Sequence, residues 1–204
     1  MGPLVVGGFC LDAERLEELG PLGAKDSKAL TSRARERVFA ALESVGTRAH
    51  VALSPRTVDH AVRRGRLNEL EAEAFAGLIR RFSPSVTYVD ACDPNERRFG
   101  LRVARLAGGR PRVVARHHAD RDVPIVGAAS IVAKVMRDEA LARLREELGE
   151  ELGSGYPSDR RTVQFVRALL SDGRAVPSWL RGSWATMERI KAGGPARTLD
   201  GFVP

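Results

Sequence analysis

What most limits the fold of this chain is an alternation: short apolar, β-branched runs are separated by longer stretches whose apolar residues recur at helical spacing. PLVVGGFCL (Pro3 to Leu11), AHVALS (Ala49 to Ser54), SVTYVDAC (Ser85 to Cys92) and RVVARHH (Arg112 to His118) read as strands. Between the second and third, Leu67, Leu70, Ala74, Phe75, Leu78, Ile79 and Phe82 fall three or four residues apart and predict a helix over 67–82. Asn68, followed by Glu71, resembles a capping box at its start, and Pro84 blocks its continuation. A second helix is expected from about Ala128 to Glu147, with Ile131, Val135, Leu141, Leu144 and Leu148 on its apolar side and Glu139–Arg143 as a favourable i,i+4 pair. GSGYPSD then reads as a loop, and helical patterns follow at Arg161 to Leu170 and Ser183 to Lys191. Strands separated by helices mean an α/β sandwich. Its expected organisation is a core over 1–152, a small C-terminal helical segment over 153–191 and a flexible tail over 192–204.

Charge narrows the partners. Lys and Arg total 33 against 26 Asp and Glu, a net charge of +7. Such a surface attracts polyanions such as nucleic acid, although a solvated basic face with no partner has the same composition. The two cysteines, Cys10 and Cys92, share no motif spacing and sit in apolar stretches, where buried free thiols are expected. A reduced, cytoplasmic compartment fits them. No run reaches the ~18–20 apolar residues of a membrane span. The N-terminus lacks the pattern of a signal peptide, so a soluble monomer is expected.

Two acids stand where ligands gather. Asp90 ends an apolar strand in TYVDACDPN, where a carboxylate loses hydration unless something positive meets it. Capping of a helix opening near Asn95 is the competing role, and Asp93 is the better candidate for that. Asp120 follows the next strand, in HHAD, just before a helix. Open α/β sheets place ligands beyond the carboxyl ends of their strands, so the two acids can face one crevice. Carboxylates of this kind suit Mg²⁺ or Mn²⁺. Two such ions about 3.5–4 Å apart activate a water and stabilise the leaving oxygen of a phosphodiester, though two aspartates are too few to hold both.

The blocks GPLVVGG, KDSKAL, NELEAEAF, VDACDPN, HHADRDVPIVGAASIVAKVMRDE and GSGYPSD occur in this order from residue 2 onward. Together they resemble ribonuclease HII, the type 2 ribonuclease H, in its archaeal form. The resemblance implies a ribonuclease H-like five-stranded mixed sheet flanked by helices, with a C-terminal helical segment. It further implies cleavage of RNA in RNA–DNA hybrids and incision 5′ of ribonucleotides embedded in duplex DNA. In its terms Asp90 is the third catalytic acid and a direct metal ligand, and Asp120 is the fourth, near the second metal and the attacking water. Tyr156 is the tyrosine that packs on the sugar beside the ribonucleotide; its other reading is an anchor for the glycine-rich loop. Lys25, Ser27 and Lys28, with Ser130 and Lys134 near the start of the long helix, approach backbone phosphates, or are simply solvated. His117 and His118 point to opposite faces of a strand, as packing residues or phosphate neighbours. Trp179 and Trp184 read as packing residues of the C-terminal segment.

The first two acids of the family, in an Asp-Glu-Ala-Gly-Arg/Lys-Gly motif, belong just before GPLVVGG, where this sequence has only Met1 ahead of Gly2. The first central strand of the fold is therefore expected to be absent, leaving unpaired strand edges. On this reading Met1 is an internal residue of a longer reading frame. The chain as it stands is then expected to be poorly soluble and to cut weakly or not at all. A catalytically inactive relative that only binds hybrid duplexes is the alternative. The tail ARTLDGFVP resembles a sliding-clamp-binding peptide, with Leu199 as the aliphatic and Phe202–Val203 in the aromatic pair. Ala196 stands in place of the glutamine and Val203 in place of the second aromatic. The competing role is a frayed terminus.

Overall fold

The computed structural model describes residues 1–24, 30–171 and 175–191. Its contacts group the chain into two compact units. The larger comprises residues 5–52 and 66–136, and the smaller comprises 1–4, 53–65 and 137–204. The residues expected as a C-terminal segment, 153–191, fall in the smaller unit together with 1–4, 53–65 and 137–152.

Four strands form among the described residues: β1 (Leu4–Cys10), β2 (Thr47–Leu53), β3 (Val86–Asp90) and β4 (Arg112–Arg116). β1 pairs with β2, and β3 pairs in parallel with β4 in a register that sets Val89 against Ala115 and Asp90 against Arg116. Among the described residues no backbone ladder joins the two pairs. The single five-stranded sheet implied by the resemblance is therefore represented, among the described residues, by two separate ribbons. β1 buries Val6 and Phe9, whereas β3 buries Val89 while exposing Val86 and Tyr88.

The helix over 67–82 forms as expected and is labelled α3 (Leu67–Phe82). Its cap differs from expectation: Arg66 is the N-cap, with no side-chain bond, so Asn68 lies inside the helix. Ser83 closes α3 in the left-handed region at φ 49°. Three helices go beyond the strong periodic signals, namely α1 (Ser32–Ala41), α2 (Pro55–Arg63) and α4 (Glu96–Leu106). Each starts on a side-chain cap, from Thr31, Ser54 and Asn95 respectively. The cap of α4 is thus Asn95 itself, whose Oδ1 accepts from Arg98 N–H at 2.8 Å. Asp93, buried just before it, accepts from the Asn95 N–H at 2.9 Å and pairs with the Arg98 guanidinium at 2.6 Å.

The remaining helices are the one-turn α5 (Ala119–Asp122), α6 (Pro124–Leu148), α7 (Arg160–Ser171) and α8 (Ala185–Lys191). α6 begins four residues earlier than expected because Pro124, which lacks an N–H, suits a first helical turn. The larger unit holds two apolar clusters. In one, Phe9, Leu19 and Leu42 meet Ile131, Val132 and Val135 of α6; in the other, Ala72, Ala76 and Ile79 of α3 meet Val89, Phe99 and Val103. The smaller unit packs Met1, Leu141, Leu144, Leu152, Val166, Leu180 and Met187, with Trp179 and Trp184 against them as packing residues. In the same unit buried Asp59 of α2 accepts from the Gly182 N–H (2.7 Å), the Ser183 N–H (3.0 Å) and the Ser183 hydroxyl (2.6 Å). No helix among the described residues is long and apolar enough to cross a membrane.

Candidate active site

Asp90 is half-buried at the carboxyl end of β3. The chain leaves β4 at Arg116, and His117 and His118 form a turn rather than extending the strand, which corrects the expected strand end. His118 takes φ 55°, a left-handed conformation that few non-glycine residues adopt, and it caps α5. That reversal brings the Ala119 N–H to Asp90 Oδ1 at 3.2 Å. The next residue, Asp120, is 5% exposed. The two sequence-predicted acids are thus brought to one locality, with Asp120 on a one-turn helix instead of at a strand tip. His117 is held by Glu96, whose Oε1 accepts the His117 backbone N–H at 2.5 Å and lies 3.9 Å from its Nε2. Glu96, at the first turn of α4, gave no sequence signal for this contact.

Ser130 and Lys134 lie one turn apart on α6, both half-buried. Because α6 starts at Pro124, Ser130 is in its second turn, past the free amides that make a helix N-terminus attractive to phosphate. The opening of α6 sits tightly in the larger unit: a Cβ on Gly127 would lie 2.2 Å from the Ala24 carbonyl oxygen and 3.2 Å from that of Asp120. Lys25, Ser27, Lys28, Leu199, Phe202 and Val203 lie outside the described residues.

Asp90 and Asp120 provide hard oxygen donors of the kind Mg²⁺ and Mn²⁺ prefer. Among the described residues, however, no three His, Cys, Asp or Glu side chains converge on a cation-sized space. The residues present fit part of a divalent-cation site and do not complete a two-ion centre. Both cysteines are free; Cys10 is half-buried and Cys92 is exposed, so the buried position expected for Cys92 is corrected.

In the smaller unit the GSGYPSD segment forms a tightly bonded loop. Asp159 accepts from the N–H groups of Ser154 and Arg161, which lowers its carboxyl below the usual range. Thr162 Oγ1 accepts from Gly155 N–H at 2.9 Å and donates to Leu152 O at 2.8 Å. Gly155, at φ 76°, brings the loop so close to α6 that a Cβ there would lie 2.9 Å from Leu141 Cδ1. Tyr156 is 45% exposed, and the Arg137 guanidinium carbon lies 3.8 Å from its ring centroid. The Met1 amine donates to Gly155 O at 2.8 Å. Burial, followed by the charges of Arg181 and Arg137, pulls that amine from 8.0 down to about 4. Arg137 and Asp59 gave no sequence signal because their partners lie far along the chain, whereas the short-range contacts of Asp159 at the start of α7 have ordinary helix-capping spacing.

The sequence profile of the family described as Ribonuclease HII matches residues 1–187. A ribonuclease HII from Cenarchaeum symbiosum is 44% identical over 195 residues, 95% of this chain and 93% of that protein. The solved ribonuclease H2 of Pyrococcus horikoshii superposes with a TM-score of 0.85 at 36% identity, covering 95% of this chain and 92% of the other. The ribonuclease HII in a structure of the PCNA:RNase HII complex from Archaeoglobus fulgidus gives a TM-score of 0.83 at 36% identity, over 90% and 88% of the two chains. The α/β fold is accordingly ribonuclease H-like, and with a profile match across most of its length the chain belongs to the ribonuclease HII family, a family of endoribonucleases.

Proposed function

We propose that this protein cleaves the RNA strand of RNA–DNA hybrids and incises duplex DNA 5′ of embedded ribonucleotides. The observation that supports the reading is the Ala119–Asp90 hydrogen bond, which ties the residue before Asp120 to the β3 tip. Asp90 and Asp120 supply part of the donor set for Mg²⁺ or Mn²⁺. Divalent ions, when bound, activate a water and stabilise the leaving oxygen of the scissile phosphodiester. The chain's own residues do the remaining work of recognition. Tyr156 offers an exposed ring to a sugar at the junction where 2′-hydroxyls stop. Ser130 and Lys134 of α6, and Lys25, Ser27 and Lys28, contact backbone phosphates, consistent with the net charge of +7. The tail residues Leu199, Phe202 and Val203 engage a sliding clamp, a reading supported by the complex that the Archaeoglobus fulgidus relative forms with PCNA.

A binding-only role is the second reading, favoured by the absence of a third converging acid among the described residues. One assay separates the two. The protein is incubated with an RNA–DNA hybrid and a matched all-DNA duplex, with Mg²⁺, Mn²⁺ or EDTA, alongside Asp90→Asn. Cutting confined to the RNA strand, dependent on the divalent ion and lost in Asp90→Asn, supports the nuclease. A hybrid that is retarded on a gel and stays intact with every ion supports the binder.

A further inference from the structure

Arg137 is 9% exposed, an unusual burial for a cation. Its Nη1 lies 3.7 Å from Asp138 Oδ1, beyond hydrogen-bond range, and this buried nitrogen has no hydrogen-bond partner among the described residues. Packing alone does not account for such a residue, since an apolar side chain of similar volume fills the space without stranding a donor. What arginine adds is a flat cationic face, and that face lies under the ring of Tyr156, 3.8 Å from its centroid.

The loop is built to reach that face. Gly155, at φ 76°, leaves room where a Cβ would stand 3.2 Å from Arg137 Nη2, and Asp159 with Thr162 pins the backbone at Leu152, Ser154 and Gly155. One face of the ring rests on the guanidinium, while the residue stays 45% exposed. A tyrosine otherwise free to rotate is held in one orientation, which spares the entropy of ordering it when a ligand stacks.

We propose that Arg137 is a positioning residue for Tyr156: it fixes the ring so that the open face stacks on a nucleotide sugar, and so sets the protein's preference for duplexes containing a ribonucleotide. The proposal rests on the reading of Tyr156 given above.

Its test is the affinity of the full chain, in EDTA so that nothing is cut, for two duplexes of the same sequence. One is all DNA, and the other carries a single embedded ribonucleotide. The variants are Arg137→Met, Arg137→Lys, Tyr156→Ala and the double Arg137→Met/Tyr156→Ala, each checked for folding by its melting curve. Lysine keeps the charge and lacks the plane, so it serves if the methionine variant does not fold. The ratio of affinities for the two duplexes is expected to fall about five- to tenfold in both Arg137 variants, the size of one stacking contact. Tyr156→Ala should match them, and the double variant should lose nothing more. A ratio unchanged in both Arg137 variants, while Tyr156→Ala lowers it, overturns the proposal and leaves the role of Tyr156 standing. So does an equal loss on both duplexes, which marks a phosphate contact, or an additive loss in the double variant. A wild-type chain with no preference at all overturns the reading of Tyr156 and this inference with it.

Discussion

The backbone N–H of Ala119 donates to Asp90 Oδ1 at 3.2 Å, so the tip of β3 is tied to the residue immediately before Asp120. The tie depends on His118, whose left-handed φ of 55° turns the chain off β4 and into α5. A strand continued through His117 and His118 would carry Asp120 further along the sheet and away from Asp90. The approach of the residue before Asp120 to the β3 tip is thus a property of one turn, and the charge on Asp90 is met in part by a backbone dipole from that same turn.

Gly7 of β1 tests how closely that strand lies on α6. A Cβ there would come within 2.1 Å of the Ala129 carbonyl oxygen and 2.7 Å of the Ala133 nitrogen, both backbone atoms that cannot swing away. Gly7→Ala should cost at least about 2 kcal/mol, read from the urea midpoint at unchanged slope. Gly77, inside α3 with its nearest neighbour at 4.0 Å, is the contrast. Gly77→Ala should stabilise by roughly 0.5–1 kcal/mol, because alanine loses less backbone freedom in a helix. Equal effects at the two glycines contradict the packing described.

For the tail, calorimetry with the organism's sliding clamp should register heat for the full chain and none for a chain ending at Gly194. Replacing Leu199 and Phe202 by Ala in the full chain should abolish the heat as well, since buried aliphatic and aromatic anchors dominate contacts of this kind. Equal heats from the full and shortened chains rule the peptide out.

Much of the architecture was legible because the periodic signals were strong. α3 needed only its recurring Leu, Ala, Ile and Phe, and its bounds match the expectation. The strand expected over Ser85 to Cys92 forms as β3 because its run is β-branched, and it stops at Asp90, two residues short of the expected end. α1 was not legible, since none of its residues is buried and its apolar face is thin. α2 is nine residues long and rests on a cap and a proline rather than on a long stripe. The positive φ of His118 has no residue-type signature, so Asp120 was expected at a strand tip and is found on a helical turn. Motif order pointed to Tyr156, while Arg137 beneath it lies 19 residues earlier with no pattern to link them.

The most direct check on the account is where a divalent ion settles. Mn²⁺ added to ¹⁵N-labelled protein broadens the amide signals nearest to it. Broadening is expected to centre on Asp90, Ala119 and Asp120 together, abolished by Asp90→Asn and equally by Asp120→Asn. Broadening centred elsewhere, or at one aspartate alone and untouched by substitution of the other, would contradict it.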